Sequence, residues 1–208
     1  MSIVDRRDFL TKLSAGTAFL GGEALLSPRH AEQLPVQNTW DMSWVERVQR
    51  AQYKVVFDSS SLADGTALDL ADGVWTDYKT VYGSDDVARM VIIMRALGQV
   101  MAFNDNLWEK YGIGEERKVN DPDTKVSAKR NPWGHQLDTL HARGAIFLVC
   151  NRASMNWATT AAKRTERDIE EVKNDVRNGL VPGAILMPTG VFALARAQNA
   201  GCAYMRGA

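Results

Sequence analysis

Short apolar runs bounded by turn-forming residues recur along this chain and predict five strands. In chain order, the runs are YKVVF, MVIIM, GAIFLVC, AILMP and CAYMR. Runs that are apolar at every position, without polar alternation, are typical of strands buried on both faces. The pattern therefore predicts a sheet with protein on both of its sides.

Between these runs, apolar residues recur every three or four positions, which predicts amphipathic helices. One series runs from Leu62 to Tyr78, and another contains Ile169, Val172 and Val176. Thr165 and Asp168 precede the second series and predict a helix cap. Strands that alternate with helices indicate a parallel sheet. We expect an α/β, flavodoxin-like three-layer fold with a mostly parallel sheet of about five strands.

The spacing of these elements predicts one α/β domain over residues 53–208. Residues 32–52 mix proline, polar groups and tryptophans, and we expect a linker that ends in a short helix. Residues 115–136 have little periodicity, three charged clusters and two prolines, which predicts a long loop.

The first 31 residues resemble a twin-arginine export signal. Arg6 and Arg7 precede Phe9 and a mildly apolar stretch that carries Lys12 and Glu23. No uninterrupted run reaches the roughly 18 apolar residues that a membrane span needs, so we predict no transmembrane anchor. The expected location is the periplasm or another exported compartment. The alternative is a surface amphipathic helix that starts with two arginines.

The charge balance argues against a nucleic-acid partner. The 208 residues include 25 basic and 25 acidic side chains, so no excess of positive charge is available to neutralise phosphates. With 45% hydrophobic residues, the chain can bury one good core.

Cys150 stands where an apolar strand stops and a helix-compatible run begins. A thiol at a helix N-terminus has its thiolate stabilised by free backbone amides, which makes Cys150 a candidate nucleophile. Asn151 and Arg152 follow it as candidate ligand-binding residues. The alternative is that Cys150 fills core space, as free cysteines often do. We predict a structural role for Cys202, with a resolving role or a disulfide to Cys150 as alternatives.

Few other motifs carry chemistry. Ser59 and Ser60 follow the first strand and are candidates for binding a small ligand at the same edge of the sheet as Cys150. His135 and His141 are six residues apart, which does not match the spacing of a metal site on one helical face. Neither phosphate-binding glycine motif occurs. We predict no metal and no cofactor.

Several segments resemble the exported, twin-arginine-bearing branch of the DsrE/DsrF-like proteins. They are GAIFLVCNRAS, RNPWG, the opening strand and VPGAILMPTGVFALARAQNAGCAYMR, and the similarity covers about residues 53–206. The resemblance implies a flavodoxin-like fold, oligomers, and a cysteine, here Cys150, that carries sulfane sulfur as a persulfide. Relay members are typically smaller and cytoplasmic, whereas this chain has an export signal and a long loop.

Two functional hypotheses follow. In the first, Cys150 accepts sulfur from a donor and passes it to an acceptor thiol protein, with Arg152 holding an anionic donor and the Asn131–Trp133 loop covering the site. In the second, the chain is a non-catalytic small-ligand-binding or subunit-assembly module, and Cys150 is a core residue. We also expect a homo-oligomer.

Overall fold

A computed structural model describes residues 40–84 and 86–208. The predicted export signal and the first part of the predicted linker, residues 32–39, lie outside the described residues. All of the elements below belong to one unit, Asn38–Ala208. Within the described part, no helix is both long enough and apolar enough to span a membrane.

Five strands form one sheet in which every pair of neighbours is parallel. Their order across the sheet is β4-β3-β2-β1-β5. In chain order they are β1 Tyr53–Ser59, β2 Ala88–Met94, β3 Ile146–Cys150, β4 Ala184–Met187 and β5 Ala203–Arg206. All five predicted strands are therefore present, and the expected parallel sheet is confirmed.

Eight α-helices accompany the sheet in the described part of the chain. They are α1 Trp44–Arg50, α2 Thr66–Tyr82, α3 Asp105–Lys110, α4 Ile113–Arg117, α5 Gly134–Ala142, α6 Asn151–Thr165, α7 Ile169–Asn178 and α8 Gly190–Asn199. Two 3₁₀ helices, Ala63–Gly65 and Gly98–Ala102, follow β1 and β2. The helix α1 lies within residues 32–52, where the sequence predicts a linker that ends in a short helix.

The helices cover both faces of the sheet, and this completes the flavodoxin-like three-layer arrangement. On one face, Phe57 and Phe147 share a large core with α2, α5, α6 and α7. On the other face, Val56 and Leu148 share a smaller core with α1 and α8. Successive residues of a strand point to opposite faces, so the uninterrupted apolar runs supply both cores.

The strand order explains why the helices divide in this way. The connections from β1 to β4 all move in one direction across the sheet, and right-handed crossovers place their helices on one face. The connection from β4 to β5 returns past three strands, so its helix α8 lies on the opposite face.

Two local predictions differ from the structure. The segment 115–136 is only partly a loop, because α4 includes its start, α5 includes its end, and a β-bridge joins Asn120 to Ser127. The cap of α7 is also different: Asp168 is itself the N-cap, while Thr165 is the last residue of α6. The Thr165 hydroxyl donates to the Ala161 carbonyl at 2.8 Å, so it is not available as a cap.

Candidate functional site

The carboxyl ends of β1, β2 and β3 meet at one edge of the sheet, which we call the carboxyl edge. Asp58 lies near the end of β1, Arg95 directly follows β2, and Cys150 ends β3. In parallel α/β sheets this edge is the usual position of binding sites, because strand-to-helix turns there expose side chains and backbone amides.

Cys150 lies at the end of β3 and is the N-cap residue of the 15-residue helix α6. Its Sγ accepts a hydrogen bond from the Ala153 amide at 3.4 Å. The side chain is buried, with 7% of the residue exposed. The sulfur therefore lies where the free backbone amides of a helix N-terminus point.

A partly buried ion pair lies at the same edge of the sheet as Cys150. Arg95 donates from Nε to Oδ1 of Asp58 at 2.6 Å and from Nη2 to Oδ2 at 2.8 Å. The Tyr204 hydroxyl also donates to Asp58, at 3.4 Å. The hydrogen bond to Asp58 raises the pKa of Arg95, and a charge interaction with Cys150 adds to this effect. Arg95 is therefore a guanidinium held by Asp58 at the same edge of the sheet as Cys150.

Sequence reasoning did not assign a role to Asp58 or Arg95. The sequence does contain a feature that could have identified them. Each is a charged residue at the end of a buried apolar run, and β1 and β2 are successive strands. Charged side chains that follow neighbouring parallel strands fall at the same edge of the sheet.

The two candidate serines are engaged in local structure. The Ser59 hydroxyl is buried and donates to the Ser61 carbonyl at 3.1 Å. The Ser60 hydroxyl donates to the carbonyl of the last residue, Ala208, at 2.8 Å. Both serines thus hold the chain near the end of β1, and their role in ligand binding stays a prediction.

Asn131 and Trp133 hold the segment before α5. The Asn131 side-chain amide donates to the carbonyls of Met101 and Phe103 at 2.7 and 2.8 Å, and its oxygen accepts from the Trp133 amide. The Trp133 ring packs edge-on against Trp108 in the large core. These contacts are structural ones, and a covering role over Cys150 stays a prediction.

Asn151 and Arg152 form the first turn of α6, directly after Cys150. Asn151 is half-buried and Arg152 is exposed. The structure therefore places both beside the candidate thiol, at the carboxyl edge.

The second cysteine is in a different environment. Cys202 lies in the smaller core beneath α8, and burial raises the pKa of its thiol to about 11. Both cysteines are free thiols. Cys202 packs among apolar residues, and its structural role stays a prediction.

A cleft of about 360 Å³ opens beside the first turns of α6. Its walls include Ala96, Gln99, Glu116, Arg117, Ala153 and Trp157. Ala153 is also the residue whose amide meets the Cys150 sulfur, so one wall of the cleft adjoins the candidate thiol.

A second cleft, of about 460 Å³, is lined by Asp105, Asn131, His135 and Asp138 among others. The side chains of the described residues form no group of three or more histidines, cysteines or carboxylates with the geometry to hold a metal ion. Of the candidate residues Asn131 and Trp133, Asn131 borders this second cleft, and neither lines the cleft beside Cys150.

Comparisons with known proteins identify no family for this chain. No family model matches the chain, and no curated protein matches it significantly. One similar solved structure is that of MTH1491, a protein of unknown function from Methanobacterium thermoautotrophicum. It is 18% identical, with 74% of this chain and 98% of that chain covered and a TM-score of 0.41. A likeness of this degree carries no argument about function.

Proposed function

We propose that this is an exported DsrE-like protein in which Cys150 carries sulfane sulfur as a persulfide. The observation that carries the proposal is the position of the sulfur. It lies at the N-terminus of α6 and within the electrostatic influence of Arg95. A helix N-terminus and a nearby guanidinium are features that suit a bound anion, such as the persulfide that sulfur transfer would form.

The chemistry balances without an external oxidant or reductant. The Cys150 thiolate attacks the sulfane sulfur of a polysulfide or thiosulfate, forming a new S–S bond. The bond between that sulfur and the rest of the donor breaks, and its electron pair leaves with the shorter polysulfide or with sulfite. An acceptor thiolate then attacks the outer sulfur of the persulfide, and Cys150 leaves as a thiolate.

The family, the location and the partners of the protein are proposed from its sequence. The sequence resembles DsrE/DsrF-like proteins and predicts export through the twin-arginine route. The proposed function also includes an acceptor thiol protein and assembly into homo-oligomers. Export suits inorganic sulfur compounds as donors. Such anions are also small enough to reach a thiol that is mostly covered.

The alternative function is a non-catalytic module that binds a small ligand, in which Cys150 is a core residue. Two observations favour it. Cys150 is 93% covered, since only 7% of it is exposed, and a cleft of about 360 Å³ lies next to it. If the protein is such a binding module, the carboxyl edge binds its ligand through groups other than the Cys150 thiol.

Intact-mass analysis distinguishes the two functions. The reduced full chain is exposed anaerobically to polysulfide or thiosulfate, with Cys150→Ser and Cys202→Ser measured beside it. We expect a one-sulfur adduct that dithiothreitol removes, that persists in Cys202→Ser and that is lost in Cys150→Ser.

An Arg95→Gln variant tests the electrostatic part of the proposal. We expect the adduct to form more slowly, because the charge beside the sulfur is gone while Cys150 remains. Absence of any adduct on the folded wild-type chain, together with reaction of Cys150 after unfolding, would contradict the persulfide function and favour the binding module.

A further inference from the structure

The cleft beside α6 contains polar groups whose hydrogen-bonding capacity is unused. Gln99 is 2% exposed, and its side-chain oxygen has no hydrogen-bond partner. Arg117 also lines the cleft, and its buried Nε–H has no partner either. Buried polar atoms in native proteins are almost always paired, so two unpaired atoms in residues that line one cleft require a reason.

A strained backbone position lies in the same walls. Ala96 has φ +49°, in the left-handed region that residues with a Cβ rarely adopt. It directly follows Arg95 and begins the turn that leads to the 3₁₀ helix containing Gln99. A strained backbone position persists only where the surrounding structure holds it, and such positions cluster at ligand-binding sites.

The other charged group of the cleft is already occupied. Glu116 accepts from Nε1 of Trp157 at 2.9 Å and from Nη2 of Arg164 at 3.0 Å. It also pairs with Nη2 of Arg117 at 3.3 Å. This pairing fixes the Arg117 guanidinium by one nitrogen and leaves its Nε–H for another acceptor.

We propose that this cleft binds an amino-acid-like zwitterion. The unpaired oxygen of Gln99 requires a hydrogen-bond donor, which an ammonium group provides. The unpaired Nε–H of Arg117 requires an acceptor, which a carboxylate provides. The terminal torsion of a glutamine side chain is broad, so the amide oxygen can turn toward the ligand at little cost. Trp157 provides an apolar wall, and about 360 Å³ suits a small molecule.

Among amino acids, the position of the cleft favours cysteine as the ligand. Ala153 forms part of the cleft and also donates its amide to the Cys150 sulfur. A bound cysteine would carry its own thiol toward that sulfur and serve as a small acceptor. This last step rests on the persulfide function proposed above, whereas binding of the zwitterion does not.

Isothermal titration of the full, reduced chain tests the site. L-cysteine and L-serine are the probes, and propionate and ethylamine supply only the carboxylate or only the ammonium group. We expect both amino acids to bind and each half-ligand to bind at least about tenfold more weakly, because each leaves one polar group of the wall unpaired.

Gln99→Leu is the decisive variant, with Gln198→Leu on the exposed face of α8 as its control. We expect Gln99→Leu to fold, since it replaces an unpaired buried amide with an apolar group of similar size. It should lose amino-acid binding by at least about tenfold, while the control binds as wild type. Arg117→Met should show the same loss. Thermal unfolding of each variant verifies that it is folded.

The outcomes separate this site from the persulfide function. Binding that persists in Cys150→Ser, with no persulfide on wild type, would support the site and contradict the function. A persulfide on Cys150 without amino-acid binding would contradict the site alone. Equal binding by wild type and folded Gln99→Leu would also overturn the site.

Discussion

Cys150 and Cys202 are both buried, yet they are placed to behave differently. Cys150 is at a helix N-terminus, at the same edge of the sheet as the Arg95 guanidinium. Cys202 is packed beneath α8 among apolar residues, and its surroundings disfavour the charged form. At the scale of single residues, two cysteines of equal exposure thus lie in different surroundings.

We predict that Cys202 resists alkylation in a folded Cys150→Ser variant. Burial raises the pKa of Cys202 to about 11, so about a thousandth of it is thiolate at pH 8. The rate of reaction with iodoacetamide, followed by mass spectrometry, should rise about tenfold per pH unit between pH 8 and 10. A rate that levels off near pH 9, as for an exposed thiol, would contradict this.

The same shift affects stability. The folded thiol keeps its proton up to about pH 11, whereas the unfolded chain releases it near 9.0. The contribution of Cys202 to stability is therefore fully present below pH 9 and is lost as the pH rises through 11.

At the scale of elements, the boundary between α6 and α7 shows how a cap is chosen. Asp168 accepts from the amides of Glu170 and Glu171, both at 2.9 Å, and so caps α7. Thr165 cannot do this, because its residue is still helical in α6 and its hydroxyl donates within that helix. The residues TERD allow either cap, and only the point where α6 ends selects Asp168.

We predict that Asp168→Ala destabilises the fold by about 1 kcal/mol, the usual loss for an N-cap. Thr165→Ala is the matched control and should change the free energy of unfolding by less than about 0.5 kcal/mol. Urea denaturation of both variants measures the difference. If the two losses were equal, or if Thr165→Ala were the larger, Asp168 would not be the working cap.

At the scale of the whole molecule, the segment between α4 and α5 is attached to the core by close backbone contact. The Val119 amide donates to the Gly114 carbonyl at 2.8 Å, and the Ala128 amide donates to the Val119 carbonyl at 2.9 Å. A Cβ on Gly114 would lie 2.6 Å from the Ala128 amide nitrogen and closer still to its carbonyl oxygen. Only glycine allows this approach.

Gly114→Ala should therefore destabilise the fold by about 2–3 kcal/mol, because the clash is with backbone that cannot rotate away. Gly73→Ala is the control. Gly73 is in the exposed middle of α2 with nothing near its Cβ position, so alanine there should stabilise by about 0.5–1 kcal/mol. Thermal and urea unfolding measure both changes. A neutral Gly114→Ala would mean that the segment is not held in this way.

Hydrophobic pattern alone predicts much of this fold. The apolar runs of β1 to β5 and the helical spacing in α2 and α7 are local properties, and burial of apolar surface forces them into the observed elements. The position of Cys150 at a strand end followed from the same pattern. The carboxyl edge was predictable too, since parallel strands bring their ends together.

The partners at that edge were decided only by tertiary structure. Asp58 and Arg95 are 37 residues apart. They meet because β1 and β2 are parallel neighbours, with Asp58 opposite Ile93, two residues before Arg95. Gln99 and Arg117 share a cleft because a 3₁₀ helix and α4 both pack beside α6. Local sequence determines which face of an element is buried. Which elements then become neighbours depends on how the apolar faces of the whole chain pack together.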